Sequence, residues 1–274
     1  MKNKHTINAK SVGMKFIGTN MTKTNLKSYK KGLNEEHKKI AQYYDKICAK
    51  ASGNRFFGDY ALKTGGPILE IACGTGRILI PIAKLGFDVV GMDLSHDMLE
   101  VFREKISKDK DLENKVELVC GDMENFDLGR KFNFIFISNS SFLLVKSDES
   151  KLKTLNCIER HLSDDGLCII DNYPYRESFS IELTELEYSE VPKVYLKVDL
   201  LEQNRFRDTF HAIIIENGQE KEVEYVLNNW YLTPEQMKNL IGKSQLKLEK
   251  FLSPKESEQY FGIDIREVFI LKKR

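Results

Sequence analysis

The chain has 274 residues and little charge of one sign: 42 Lys and Arg stand against 41 Asp and Glu. No strong positive field therefore exists to attract nucleic acid or an anionic membrane surface. Cysteine is sparse, and Cys48, Cys73, Cys120, Cys157 and Cys168 form no CxxC pair; they read as buried thiols in a reducing cytosol. Histidine is dispersed. His5, His37, His96, His161 and His211 lack ligand spacing with carboxylates, so no metal site is expected. Long apolar runs are missing too: nothing approaches the roughly 18 uninterrupted apolar residues of a membrane span. The first thirty residues hold no apolar stretch of signal-peptide length. A soluble, cytoplasmic protein is expected, with neither nucleic acid nor membrane as partner.

What is present is a change of hydrophobic period along the chain. Residues 1–33 are polar and basic without sustained periodicity, which reads as a flexible N-terminal arm; residues 34–274 read as one domain. Asn34 is placed to cap a helix over EEHKKIAQYYDKICAK. From residue 67 strand and helix alternate: PILEIA, RILIPIAKLG, FDVVGMD, SHDMLEVFREKISK, KVELVCGD, then FNFIFISN, DESKLKTLNCIERHL and GLCIIDNY. Such alternation implies parallel strands joined by right-handed crossovers, and the five strands read as apolar on both faces. After Pro174 the pattern turns to long alternating segments up to KEVEYVLNNWYL, followed by a helix from Thr233 and two strands, KLEKFLS and REVFILKK. The expected fold is α/β, a doubly wound, seven-stranded, mostly parallel sheet with helices on both faces. An antiparallel β segment, about residues 176–231, is inserted after the fifth strand.

The stretch EIACGTGRIL, residues 70–79, carries the first chemical signal. Gly74 and Gly76 sit where a strand turns into a helix, so bare backbone and unpaired N–H groups face a ligand there. The bland account is a tight turn. Asp93 ends the next strand, nineteen residues after Gly74, and a carboxylate there can accept both ribose hydroxyls of an adenosine. Asp122 and Met123 end the following strand and border the same crevice; Asp122 can accept from an adenine amino group while Met123 packs on the ring. A dinucleotide fingerprint requires a third glycine three positions after Gly76, and Leu79 stands there.

These residues resemble the class I S-adenosylmethionine-dependent methyltransferases, in which an acidic strand end is followed by alternating small residues, as in Glu70-x-Ala72-x-Gly74-x-Gly76. The resemblance extends through MDLSHDML, GDMENFDLGRKFNFIF and GLCIID, and departs at Ala72, where many members have Gly. It implies a methyltransferase domain over 34–274 with S-adenosylmethionine as cofactor. Ala72, Cys73, Gly74 and Gly76 would lie against its methionine part and ribose, with Glu70 supporting that loop. Asp93 would bind the ribose, Leu94 and Met98 would border the adenine, and Asp122 and Met123 would recognise it. Ser138 and Asn139 would meet the amino group, and Tyr43 and Tyr44 match the aromatic segment with which relatives cover the cofactor; helix packing explains those two tyrosines equally well.

The methyl of a sulfonium is already electrophilic, so the protein must chiefly place a nucleophile and exclude water. Asn172, Tyr173, Trp230 and Tyr231 are candidates for the acceptor site, and His211 is a candidate base that a structural histidine explains as well. The stretch after Asp122 and the antiparallel insertion resemble small-molecule enzymes of the family, including those that N-methylate amino sugars and glycine. The expected partner is a small-molecule methyl acceptor, taken at nitrogen or at a hydroxyl. Two other readings stay open: a non-catalytic cofactor- or partner-binding subunit on the same fold, which an open crevice would favour, and an NAD-dependent dehydrogenase, against which Leu79 argues.

Overall fold

The computed structural model describes residues 23–48, 53–175, 181–185, 193–202, 204–261 and 265–274. Helix α1 spans Lys23–Ile40, a one-turn helix α2 spans Tyr44–Ile47, and α3 spans Asn54–Thr64. The helix expected to start after Asn34 thus begins twelve residues earlier, at Lys23, and Asn34 lies inside it; of the arm expected over 1–33, residues 1–22 lie outside the described residues.

The alternating core follows as β1 (Ile68–Ile71), α4 (Leu79–Lys84), β2 (Val89–Asp93), α5 (His96–Ile106), α6 (Lys110–Lys115), β3 (Val116–Cys120), β4 (Phe132–Ile137), α7 (Asp148–His161) and β5 (Leu162–Asn172). The insertion supplies β6 (Ile181–Glu185), β7 (Lys193–Glu202), β8 (Arg205–Glu216) and β9 (Gln219–Trp230). The chain closes with α8 (Pro234–Lys243), β10 (Leu246–Leu252), α9 (Pro254–Phe261) and β11 (Glu267–Lys273). Helix ends are capped where the sequence offers oxygen acceptors: Ser95 Oγ accepts from Met98 N–H, and Thr233 with Gln236 forms a capping box.

Seven strands pair in the order β10-β11-β5-β4-β1-β2-β3, with β11 antiparallel to both its neighbours and the other pairs parallel. Alternate residues of the central strands feed two separate cores. Ile68, Val89, Phe134 and Ile169 pack with α3, α4 and α5, whereas Leu69, Val90, Ile135 and Ile170 pack with α7 and α8. Each such side chain contributes about 1.5–3 kcal/mol by leaving water. Strand β3 departs from the expectation of burial on both faces. It is the sheet edge, and Glu117 and Cys120 are exposed. Cys120 and the half-buried Cys48 likewise differ from the expected buried thiols, while Cys73, Cys157 and Cys168 are buried.

The insertion is a separate antiparallel sheet in the order β6-β7-β8-β9. Its β8–β9 hairpin turns at Asn217 and Gly218, both at positive φ (54° and 77°), the geometry that suits the twist of a two-residue turn. One face of this sheet, carrying Val194, Ala212, Ile214, Val223 and Tyr225, packs with Ile40 and Ile47 of α1 and α2 and with Met98 of α5. Along the edge strand β9, Glu36 Oε2 accepts from Val226 N–H at 2.7 Å, so α1 covers an edge that would otherwise be open.

Candidate active site

The sheet reverses its order between β1 and β4, and in open α/β sheets ligands bind beyond the carboxyl ends of strands at such a switch point. A cavity of about 460 Å³ opens there. It is lined by Ala72 after β1, Asp93 and Leu94 at β2, Asp122 and Met123 after β3, Asn139 after β4 and Tyr173 after β5. From above, Tyr29, Lys30, His37 and Tyr44 of α1 and α2 close it, and on the far side the insertion walls it with Phe206, Phe210 and Tyr225.

The turn after β1 shows why each small residue is there. Ala72 adopts φ 60°, a left-handed conformation that side chains disfavour by about 1–2 kcal/mol. A Cβ on Gly74 would meet no atom within 4 Å, because that face opens onto the cavity; a Cβ on Gly76 would lie 2.4 Å from the Phe102 ring. Gly76 therefore serves core packing, and it does not line the cavity. Leu79, where a dinucleotide fingerprint needs glycine, is fully buried in the core.

Asp93 Oδ2 accepts from Gly74 N–H and Oδ1 from Ser95 N–H, each at 2.8 Å. An ionised carboxylate has about four acceptor sites, so each oxygen keeps one for a ligand hydroxyl. Glu70 is buried, accepts from Ser138 Oγ–H at 2.8 Å, and has no partner for its other oxygen among the described residues; burial pushes its carboxyl up to about 8 against the Ser138 bond and nearby Arg77. Asp122 is engaged by Lys30, whose Nζ lies 2.5 Å from it and 2.9 Å from Glu124.

Of the residues expected from sequence, Tyr44, Ala72, Gly74, Asp93, Leu94, Met98, Asp122, Met123, Asn139, Tyr173 and Tyr231 line the cavity. Glu70, Cys73 and Ser138 stand behind the wall, and the Ser138 carbonyl accepts from Ser141 N–H. Tyr44 and Tyr43 part company: the Tyr44 hydroxyl accepts from Asn139 Nδ2–H at 3.0 Å, whereas the Tyr43 hydroxyl donates to Glu216 at 2.5 Å and ties down the insertion. Three of the residues expected around the acceptor do not line the cavity. His211, the candidate base, alternates onto the outer face of β8, lies 3.2 Å from Glu224 and does not line the cavity. Trp230 lies on the outer face of β9 against Tyr29, and Asn172 is buried outside the cavity.

Among the cavity residues that the sequence did not point to are His37 and Asp208. His37 shares a helix face with Leu33 and Ile40, its Nδ1 is buried without a partner among the described residues, and burial lowers its pKa although Asp93 and Glu36 oppose this. Asp208 sits in a strand whose alternation was visible, but nothing in the sequence said which face turns inward.

Residues 68–166 match the family model described as a methyltransferase domain. Over 113 residues the chain is 32% identical to the dTDP-3-amino-3,4,6-trideoxy-alpha-D-glucopyranose N,N-dimethyltransferase of Streptomyces venezuelae, a match covering 41% of this chain and 45% of that protein. The chain spans about half the length of the curated relatives it matches. Among solved structures, the CcbJ methyltransferase from Streptomyces caelestis superposes with a TM-score of 0.73 at 20% identity over 87% of this chain and 97% of that one. The glycopeptide N-methyltransferase MtfA, complexed with S-adenosylmethionine, does so with 0.55 at 22% identity, covering 82% of this chain and 95% of that one. No described helix is long and apolar enough to cross a membrane, and no group of metal-ligating side chains is found among the described residues.

Proposed function

We propose that this chain, whose residues 68–166 form a class I S-adenosylmethionine-dependent methyltransferase domain, methylates a small metabolite at nitrogen, as an amine or amino sugar. The observation that carries this reading is the continuity of one cavity, from Gly74 and Asp93 at the strand ends to Phe206, Phe210 and Tyr225 on the insertion. The residues fit the cofactor: an open face at Gly74, spare acceptor sites on Asp93, and an apolar border at Leu94 and Met98.

Bound S-adenosylmethionine supplies a methyl group that its sulfonium makes electrophilic. The chain's own residues then have two tasks. Asp93 would hold the ribose hydroxyls, and Asp122 with Met123 the adenine. The insertion's aromatic side chains would shape the acceptor space and keep water out of it, so that positioning supplies most of the rate. Nitrogen acceptors in the dimethyltransferase and in MtfA support the choice of atom.

A cavity walled by the insertion favours an enzyme over a non-catalytic subunit, for which an open crevice was the expectation. Calorimetric titration with S-adenosylhomocysteine tests cofactor binding, and no heat would end this reading. Release of S-adenosylhomocysteine across a panel of amino sugars, amines and phenols then identifies the acceptor class. Tight cofactor binding with no turnover on any amine would favour the subunit.

A further inference from the structure

Asp208 lies mid-strand on β8, 7% exposed, on the face that turns toward the cavity. Asn229 Nδ2–H donates to its Oδ2 at 2.7 Å, while Oδ1 is buried with no hydrogen-bond partner among the described residues. No Lys, Arg or His pairs with it among them. Around it stand aromatic faces: Phe210 and Tyr225 stacked at 4.5 Å, and Phe206 edge-on to Tyr231 at 4.8 Å.

A buried carboxylate without a cation is strongly disfavoured, and burial pushes this carboxyl up to about 7 with only the Asn229 bond opposing. A structural Asp–Asn pair would satisfy both carboxylate oxygens; here one is left buried without a partner among the described residues, on a side chain that lines the cavity. Aromatic rings and a carboxylate together attract the same species, an ammonium ion. We propose that Asp208, held by Asn229, is the subsite that receives the acceptor's protonated amine, on a molecule whose remaining surface is largely apolar and packs against Phe206, Phe210 and Tyr225.

This deepens the methyltransferase reading and rests on it for the fate of the amine, but the binding can be measured separately. The test titrates the full chain with cyclohexylamine and cyclohexanol, which share a shape and differ in charge, with and without saturating S-adenosylhomocysteine. Wild type is expected to bind the amine at least about tenfold more tightly than the alcohol. Asp208→Asn retains an oxygen to accept from Asn229; it is expected to abolish that preference and leave S-adenosylhomocysteine affinity unchanged. An amine bound no more tightly than the alcohol, or with equal affinity by Asp208→Asn, overturns the proposal. Should that variant fail to fold, the wild-type ratio decides alone. Loss of the methyltransferase reading would appear differently, as absent S-adenosylhomocysteine binding with the amine preference intact.

Discussion

Lys30 Nζ of α1 lies 2.5 Å from Asp122 Oδ2 and 2.9 Å from Glu124, so the helix that closes the cavity is latched to the strand end expected to recognise adenine. The pair is partly exposed, and such bridges contribute about 0.5–1 kcal/mol. Lys30→Met is expected to speed dissociation of S-adenosylhomocysteine by roughly two- to fivefold, measured by displacement of labelled ligand. Raising salt should narrow the difference from wild type. Unchanged dissociation would mean that this latch does not govern exit.

Asp93→Ala removes a carboxylate that already accepts two backbone N–H bonds and keeps acceptor sites for the ribose. Cofactor affinity is expected to fall by on the order of 2 kcal/mol, and stability by about 1–3 kcal/mol, because Gly74 N–H and Ser95 N–H lose their partner. Calorimetry and urea unfolding separate the two losses. Full affinity in this variant would remove the ribose from Asp93.

The turn after β1 makes opposite predictions at two positions. Gly76→Ala must push a Cβ into the Phe102 ring from a left-handed backbone, and should cost roughly 3 kcal/mol or more. Ala72→Gly relieves the φ 60° strain and should stabilise the protein by up to about 1 kcal/mol after the entropy of glycine is counted. Chemical denaturation checks both, and equal effects at the two sites would contradict this account of the turn.

Three buried carboxyls have folded pKa values above their ordinary ones: Glu70 at about 8, Asp208 at about 7 and Glu267 at about 7, each raised chiefly by burial. Folding then takes up protons, so their contribution is full below about pH 4 and is lost as pH rises through 7 to 8. Lys151 has the opposite shift, lowered by burial from 10.5 to about 7, and its contribution rises with pH across that interval. The carboxylates lowered by exposed contacts, such as Glu149 and Glu256, lie in water and count for little. From pH 5 to pH 8 ligand-free protein should therefore lose stability, its melting temperature falling on the order of 5 °C. Calorimetric scans across pH check this; a melting temperature that climbs steadily from pH 5 to 8 would contradict it.

Periodicity carries information on secondary structure and on which strands are sandwiched, and the sheet, its last two strands and the antiparallel insertion were legible for that reason. Helix α1 was not. Its first two turns, KTNLKSYK, lack a continuous apolar stripe and owe their conformation to contacts far away in sequence, such as the Tyr29 hydroxyl donating to the Leu144 carbonyl. At the site, residues fixed by strand ends were legible: Asp93, Asp122 and Asn139 follow from where strands stop. The insertion was not, because alternation defines two faces without naming the inner one. His211 and Asp208 differ by one face of one strand, and a register shift of a single residue would exchange them.

Trp230 is the chain's single tryptophan, and its ring meets that of Tyr29 edge-on at 5.2 Å, with Arg205 and Lys146 over its faces at 5.3 and 5.6 Å. The indole thus sits at the seam between α1 and the insertion, where two cations and a phenol tune its emission. Any separation of these two elements changes that environment at once. The protein carries its own optical reporter of opening and closing, readable in a stopped-flow experiment without a label.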